Sequence, residues 1–290
     1  MKLSVVIPTH NRAEILRTTL QKILEQEGVE FEVVVVDDGS TDATPEVVRG
    51  FVEAVSPRDL AAIRYVSVTK GHQGVARNRG VEAATGDIIV FIGDDIFVEP
   101  GFLKAHADRH AEHSDENMVV LGYSTWDPAL QINDYMRFLE SSGWQFGYGF
   151  LAPGFVQNPD SYKFFYTSNI SLKKSFFDKE KFDEQFKVYG WEDVELGYRL
   201  WKKHGMRLFY APEAKAFHHH LLIEEDLPKK MRAVGQSATH FERLHPEVHV
   251  VPKGLKSIVL GVVSSPIMLS AWKALSPNLY FKFRSWGEFL

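Results

Sequence analysis

The 290-residue chain contains no cysteine, so a disulfide framework, a thiolate metal site and a cysteine nucleophile are all excluded. That absence fits a cytosolic chain; a cytoplasmic location is expected, at the inner face of a membrane if the tail binds one. Positive charge is not in excess either. With 33 Lys and Arg against 38 Asp and Glu, the formal charge of −5 argues against nucleic-acid binding through a general basic surface, and no nucleic-acid partner is expected. Long hydrophobic runs are also missing. The opening MKLSVVIPTHNR holds an apolar segment too short for a signal-peptide core and runs straight into Pro8 and a polar turn. The best candidate for a membrane segment, SIVLGVVSSPIMLSAW at 257–272, falls short of the roughly 20 residues a spanning helix needs and is interrupted by Pro266. No internal repeat and no low-complexity tract is visible. What is present, 44% hydrophobic and 24% charged residues, is the composition of a globular protein able to bury a sizeable core.

The first hundred residues alternate between strand and helix patterns. LSVVIPT (3–9), FEVVVVDDGS (31–40), AIRYVSVT (62–69) and DIIVFIG (87–93) are β-branched, apolar runs. Between them, 12–26 repeats apolar residues at helical spacing, 44–55 has proline at a helix start, and 74–84 reads as a third helix. Such alternation predicts a parallel sheet covered by helices on both faces, whose ligands collect beyond the carboxyl ends of the strands. Those ends are Thr9-His10-Asn11-Arg12, Asp37-Asp38-Gly39-Ser40, Lys70-Gly71-His72-Gln73-Gly74 and Gly93-Asp94-Asp95, which should line one crevice. Further on, 144–166 is aromatic and aperiodic, either a functional loop or a hydrophobic cover packed over the sheet edge. ISLKKSFF (170–177) and RLFYAPEAKAFHHH (207–220) contain strands, and 191–204 is a helix.

Taken singly, the polar motifs are ambiguous. Asp37-Asp38-Gly39-Ser40 suits a solvated turn, or an acid placed to accept hydrogen bonds from a ribose or base. Asp94-Asp95 suits a strand-ending turn, or two carboxylates whose repulsion a divalent cation offsets, with Gly93 leaving room for a ligand. Glu192 and Asp193 open a helix whose macrodipole favours anions, and Asp193 could serve as a general base. In FHHH (217–220), strand alternation turns His218 and His220 one way and His219 the other, so imidazoles could complete a metal sphere begun by a carboxylate.

Together, SVVIPTHNR, VVVVDDGSTD, GVARNRGVEAATGDIIVFIGDD, FYTSNISLKKSFF, FDEQFKVYGWEDVELGYRL and PEAKAFHH, in that order over about 3–220, resemble the inverting family-two glycosyltransferases. The resemblance implies a glycosyltransferase-A fold, a Rossmann-like, mostly parallel central sheet flanked by helices. It implies a catalytic domain over 1–220, with a nucleotide-binding half (1–100) and an acceptor and metal half (101–220), and a C-terminal helical extension over 221–290. Pro8, Thr9 and Arg12 would line the nucleotide pocket, Asp37 or Asp38 would meet the base or ribose, and Lys70, Gly74 and Arg77 would lie near the nucleotide or its phosphates. Asp94 would hold sugar and ribose hydroxyls. Asp95 would bind a divalent cation, manganese or magnesium, with His218 as second ligand and His220 as fallback. Gly93 departs from the family's Asp-any-Asp motif, whose first acid is missing. Asp193 corresponds to the catalytic base.

The implied activity is inverting transfer of a sugar from a nucleotide-diphosphate sugar, uridine-linked by preference, to a saccharide or lipid-linked acceptor hydroxyl. A non-catalytic nucleotide-sugar-binding or membrane-associated scaffold of the same fold is the alternative. For the tail two readings stand: a core helix pair, or an interfacial segment, since Lys253, Lys256, Lys273, Lys282 and Arg284 face only Glu288 after Pro252 and are interleaved with aromatics.

Overall fold

The computed structural model describes residues 1–54 and 61–290. Its first part follows the sequence periodicities: β1 (Leu3–Thr9), α1 (Ala13–Leu24), β2 (Phe31–Asp37), α2 (Thr44–Ala54), β3 (Ala61–Ser67), α3 (His72–Ala83) and β4 (Ile88–Ile92). β3, β2, β1 and β4 lie side by side and parallel. β2 and β4 are buried at every position, and β1 at every position but Pro8. A parallel sheet covered on both faces requires this, which is why these strands read as continuous apolar runs. α3 presses closely on the sheet: a Cβ at Gly80 would stand 2.4 Å from Val6 Cγ1 and 3.0 Å from Val36 Cγ2. Only glycine allows that approach.

Beyond β4 the order is β5 (Ile96–Val98), α4 (Phe102–Glu112), β6 (Met118–Trp126), α5 (Asp134–Ser141), β7 (Gly154–Phe155), β8 (Asn169–Lys173), α6 (Lys174–Phe177), α7 (Glu192–His204) and β9 (Arg207–His218). The sheet runs β3-β2-β1-β4-β8-β6-β9-β5, with β7 on β9. This half is mixed rather than parallel, because β8 enters antiparallel to both β4 and β6. The reversal matters for function: Asn169 at the start of β8 pairs with Ile92 at the end of β4, so residues just before β8 arrive at the crevice. β5, of three residues, is too short for periodicity to assign, and the nine-residue β6 has no sequence expectation either. ISLKKSFF is split, with the strand stopping at Lys173 and one helical turn following.

α4 packs two histidines against β8. His106 is fully buried with Nδ1 2.8 Å from Ser171 Oγ and Nε2 3.0 Å from Asn169 Oδ1, and His110 Nε2 lies 2.9 Å from the same hydroxyl. Burial lowers the His106 pKa to about 4; burial, with the charges of His106 and Lys173, lowers that of His110 to about 3. Both are therefore neutral in the fold at pH 7. Below about pH 6.5 the unfolded chain binds protons that the native state refuses, so stability falls as pH drops from there through about 4 and 3. Moving from pH 7 to pH 5 should cost on the order of 1–2 kcal/mol per histidine, read as a lower urea midpoint. His110→Phe should lose visibly less over the same interval; an equal loss would remove His110 from this account.

The chain packs as two compact units. The first comprises Met1–Ala129, Phe150–Glu184 and Asp193–His220; the second comprises Leu130–Gly149, Gln185–Glu192 and Leu221–Leu290. The second is built on α8 (Leu227–Leu244), α9 (Gly254–Val263), α10 (Pro266–Leu275) and α11 (Pro277–Phe289). Its core joins Phe281 to Tyr135 and Phe138 at ring distances of 5.4 and 5.9 Å, with Trp144 edge-on to Trp286 at 5.2 Å. Among the described residues no single helix is long and apolar enough to cross a membrane.

Candidate active site

The carboxyl ends of β1, β4 and β9 bring six side chains into one connected set. Arg12, the residue before α1, reaches back across the sheet so that one guanidinium nitrogen lies 2.9 Å from Asp95 Oδ2 and 3.2 Å from Asp94 Oδ1. Thr9 Oγ1 donates to Asp94 Oδ2 at 2.8 Å, and Thr19 Oγ1 donates to the Asp94 carbonyl at 2.6 Å. From β9, His218 Nε2 and His220 Nδ1 approach Asp95 Oδ2 at 3.3 and 3.2 Å. The two acids are thus differently placed, although adjacent and equally buried. Burial first, then the charge of Asp95, pushes the Asp94 pKa up, and Arg12, Thr9 and His220 offset this only in part. For Asp95 burial acts the same way, but the charges and hydrogen bonds of His218, His220 and Arg12 prevail and hold its carboxyl well below the usual range.

Asp95, His218 and His220 each offer one ligand atom, all within 4.8 Å of one another. One carboxylate oxygen with two imidazole nitrogens is a donor set suited to a first-row divalent cation, so the residues fit the metal that the sequence implies. Gly93 has a local cause as well: a Cβ there would stand 3.0 Å from Asp95 Oδ1.

His219 points the other way, as alternation demands. Its Nδ1 lies 2.7 Å from Asp127 Oδ2, and its ring stacks on Phe97 at 4.7 Å. Asp127 also donates its backbone N–H to the His218 carbonyl at 3.1 Å, while Trp126 stacks on the His218 ring at 5.6 Å. Asp127 therefore holds the 218–220 segment by both backbone and side chain. Sequence reasoning missed it, since only the parallel register that sets Trp126 opposite His218 makes the two segments neighbours.

The acids after β2 have internal partners. Asp37 accepts from Ser40 N at 2.8 Å and from the Tyr65 hydroxyl at 2.6 Å; Asp38 accepts from Gly71 N at 2.6 Å and His72 N at 3.1 Å, tethering the loop that opens α3. Lys70 is exposed, 3.3 Å from His10 Nε2. Pro8 sits in β1 opposite Val36. Gly74 packs toward Phe182, and Arg77 is buried over the Phe182 ring while donating to Gln73 at 3.2 Å. Asp193 stands in the first turn of α7, its Oδ2 accepting from Thr167 N at 3.4 Å and its Oδ1 from Val194 N at 2.8 Å. Thr167 shortly precedes β8, and this ties Asp193 to the same end of the sheet as Asp94 and Asp95.

A helix-flanked sheet carrying its polar cluster at the strand ends makes this an α/β protein, and its likeness to solved glycosyltransferase structures gives it the glycosyltransferase-A fold. A mannosyltransferase from Pyrobaculum calidifontis, solved with GDP-mannose and Mn2+, matches 98% of this chain and 82% of its own at TM-score 0.63 and 20% identity. The Staphylococcus aureus protein TarS, solved with UDP, matches 100% of this chain and 89% of its own at TM-score 0.58 and 19% identity. The family model for glycosyl transferase family 2 matches residues 4–179, and the chain belongs to that family. Validoxylamine A glucosyltransferase of Streptomyces hygroscopicus subsp. jinggangensis is 32% identical over 237 residues, 73% of this chain and 54% of that protein; chondroitin synthase of Escherichia coli is 28% identical over 266 residues, covering 82% and 37%. The chain spans about half the length, or less, of these curated relatives.

Proposed function

We propose that the chain moves a sugar from a nucleotide-diphosphate sugar, UDP-linked by preference, to an acceptor hydroxyl with inversion at the anomeric carbon. The observation that carries the reading is the Asp95, His218 and His220 cluster at the strand ends of a family 2 fold. In this mechanism the Asp193 carboxylate takes the proton of the acceptor hydroxyl as that oxygen attacks the anomeric carbon. The bond to the diphosphate breaks on the opposite face, and the nucleoside diphosphate leaves with the electron pair. Asp95, His218 and His220 would hold a divalent cation, manganese or magnesium, which would supply positive charge toward the leaving diphosphate.

Arg12 orients both acids, and Asp94 meets sugar or ribose hydroxyls. Pro8, Thr9 and Arg12 border the nucleotide, Asp37 and Asp38 shape the base and ribose side, and Lys70, Gly74 and Arg77 lie toward the phosphates. Residues 1–100 thereby form the nucleotide-binding half and 101–220 the acceptor and metal half. The acceptor is a saccharide or a lipid-linked saccharide, and residues 221–290 give peripheral membrane contact. UDP and GDP-mannose in the structural relatives support the donor class.

The test is thermal stabilisation by UDP- and GDP-sugars with manganese, magnesium or a chelator. A ligand at about one hundred times its Kd adds about 2.7 kcal/mol of stability, so the matching donor should raise the Tm only when a cation is present. A Tm that no donor and cation combination moves overturns the donor assignment.

A further inference from the structure

The second unit carries an exposed apolar surface on residues separate from the Asp95, His218 and His220 cluster. No residue of α9 or α10 is buried. On α9, Leu255, Ile258, Val259 and Val262 are 76%, 65%, 50% and 61% exposed, and on α10, Ile267 and Leu275 are 84% and 72% exposed. The four α9 residues fall at i, i+3, i+4 and i+7, so they form one continuous stripe. Of the two sequence readings of this segment, a buried core pair is thereby excluded. Contiguous apolar surface of this kind marks an interaction site rather than ordinary solvent-facing protein.

Length and shape restrict what that site meets. Each helix has ten residues, about 15 Å of rise, half the roughly 30 Å of a bilayer core. The two helices are bent by 67°. That bend is built into the unit: Trp272 Nε1 donates to the Val263 carbonyl at 3.0 Å, Ser264 Oγ donates to the Leu260 carbonyl at 2.6 Å, and the Trp272 ring packs on Phe283 of α11 at 5.2 Å. A straight span would break the Trp272–Val263 bond, which joins α10 to the end of α9 across nine positions. Charge restricts the partner further. Lys253 and Lys273 have side chains 69% and 65% exposed, the first paired with Glu242 at 2.6 Å and the second 3.9 Å from Glu224. Lys256 is exposed with no ion pair among the described residues, and Glu288 is the sole acid after Pro252.

We propose that α9 and α10 form an interfacial anchor for an anionic membrane, with Leu255, Ile258, Val259, Val262, Ile267 and Leu275 among the acyl chains and the lysines at the headgroups. A bent pair of short helices lies in the plane of the interface, entering it by about 5–10 Å. Basic residues beside the apolar face complement anionic lipid, which a protein partner of no particular charge would not require. The inference specifies the membrane contact proposed above, yet it rests on these helices and not on the chemistry of the strand ends.

The experiment is flotation of the full chain with phosphatidylcholine vesicles, with and without phosphatidylglycerol, alongside light scattering of the protein alone. The wild-type chain should float with the anionic vesicles and much less with the neutral ones. The double variant Ile258→Glu, Val262→Glu should lose vesicle binding by about tenfold or more while keeping its Tm and its donor-dependent Tm shift. Because both positions are exposed, the fold tolerates the change. A wild-type chain that stays unbound to anionic vesicles, or a double variant that floats as well as the parent, overturns the proposal. A wild-type dimer that the double variant converts to monomer, without flotation, assigns the face to a second copy and overturns it too. A missing donor shift with intact flotation counts against the transferase reading alone.

Discussion

Asp193→Asn is expected to reduce sugar transfer by about 10²–10⁴-fold with donor binding intact. The substitution is nearly isosteric. An asparagine oxygen still accepts from Val194 N or Thr167 N, both of which donate to the Asp193 carboxylate, so the start of α7 keeps its geometry. What disappears is the ability to take a proton. The loss should fall on kcat, with the donor KM and the cation-dependent Tm shift unchanged, because removal of a proton acceptor acts in the transition state and not on the bound donor. Backbone conformation supports the precision of this position: Gly190 and Trp191 both have positive φ, 105° and 63°, and turn the chain sharply just before the helix. Glu192 is no substitute, since its carboxylate turns back to Gly190 N at 3.2 Å. Transfer at the parental rate would remove Asp193 as the base. A parent with metal-dependent donor binding and no transfer or donor hydrolysis would favour the non-catalytic reading.

Asp95→Asn should have the second large effect, a loss of Mn2+ affinity of at least about a hundredfold, measured by isothermal titration of the chain without donor. Asp95 supplies the single charge on which Arg12, His218 and His220 converge, all at Oδ2. Its neutral analogue leaves two imidazoles with no anionic ligand, and the donor-induced Tm shift should vanish with the metal. Asp94 is not a member of the ligand cluster: His218 and His220 converge on Asp95 Oδ2, while Asp94 Oδ2 accepts from Thr9. His218→Asn and His220→Asn, made separately, divide the remaining affinity between the rings. Unchanged titration in Asp95→Asn would mean that the cation, if bound at all, is held elsewhere.

Much of the site lay open in the sequence because it depends on strand ends. The four parallel strands announce themselves as largely apolar, β-branched runs, and the polar residues and glycines that cluster after them mark the edge where ligands collect. Alternation along 217–220 likewise separated His218 and His220 from His219. By contrast, His106 and His110 read as ordinary helix residues, and nothing in the local pattern reveals Ser171, more than sixty positions away, as their shared partner. Asp127 was silent for the same reason. Its role exists only because β6 and β9 run parallel in one particular register, across a shift between Gly122 and Tyr123.

The sequence alone determined the strand and helix alternation, the apolar core and the family motifs, since each is written in residues a few positions apart and enforced by backbone period and turn chemistry. Tertiary structure decided which distant groups meet, Arg12 with Asp94 and Asp95, Asp193 with Thr167 and Asp127 with His219, and that Leu255, Ile258, Val259 and Val262 of α9 stand exposed. Those outcomes follow from strand order, register and the burial of whole faces. No local window of sequence carries such information, because their energies arise between segments separated by tens of residues along the chain.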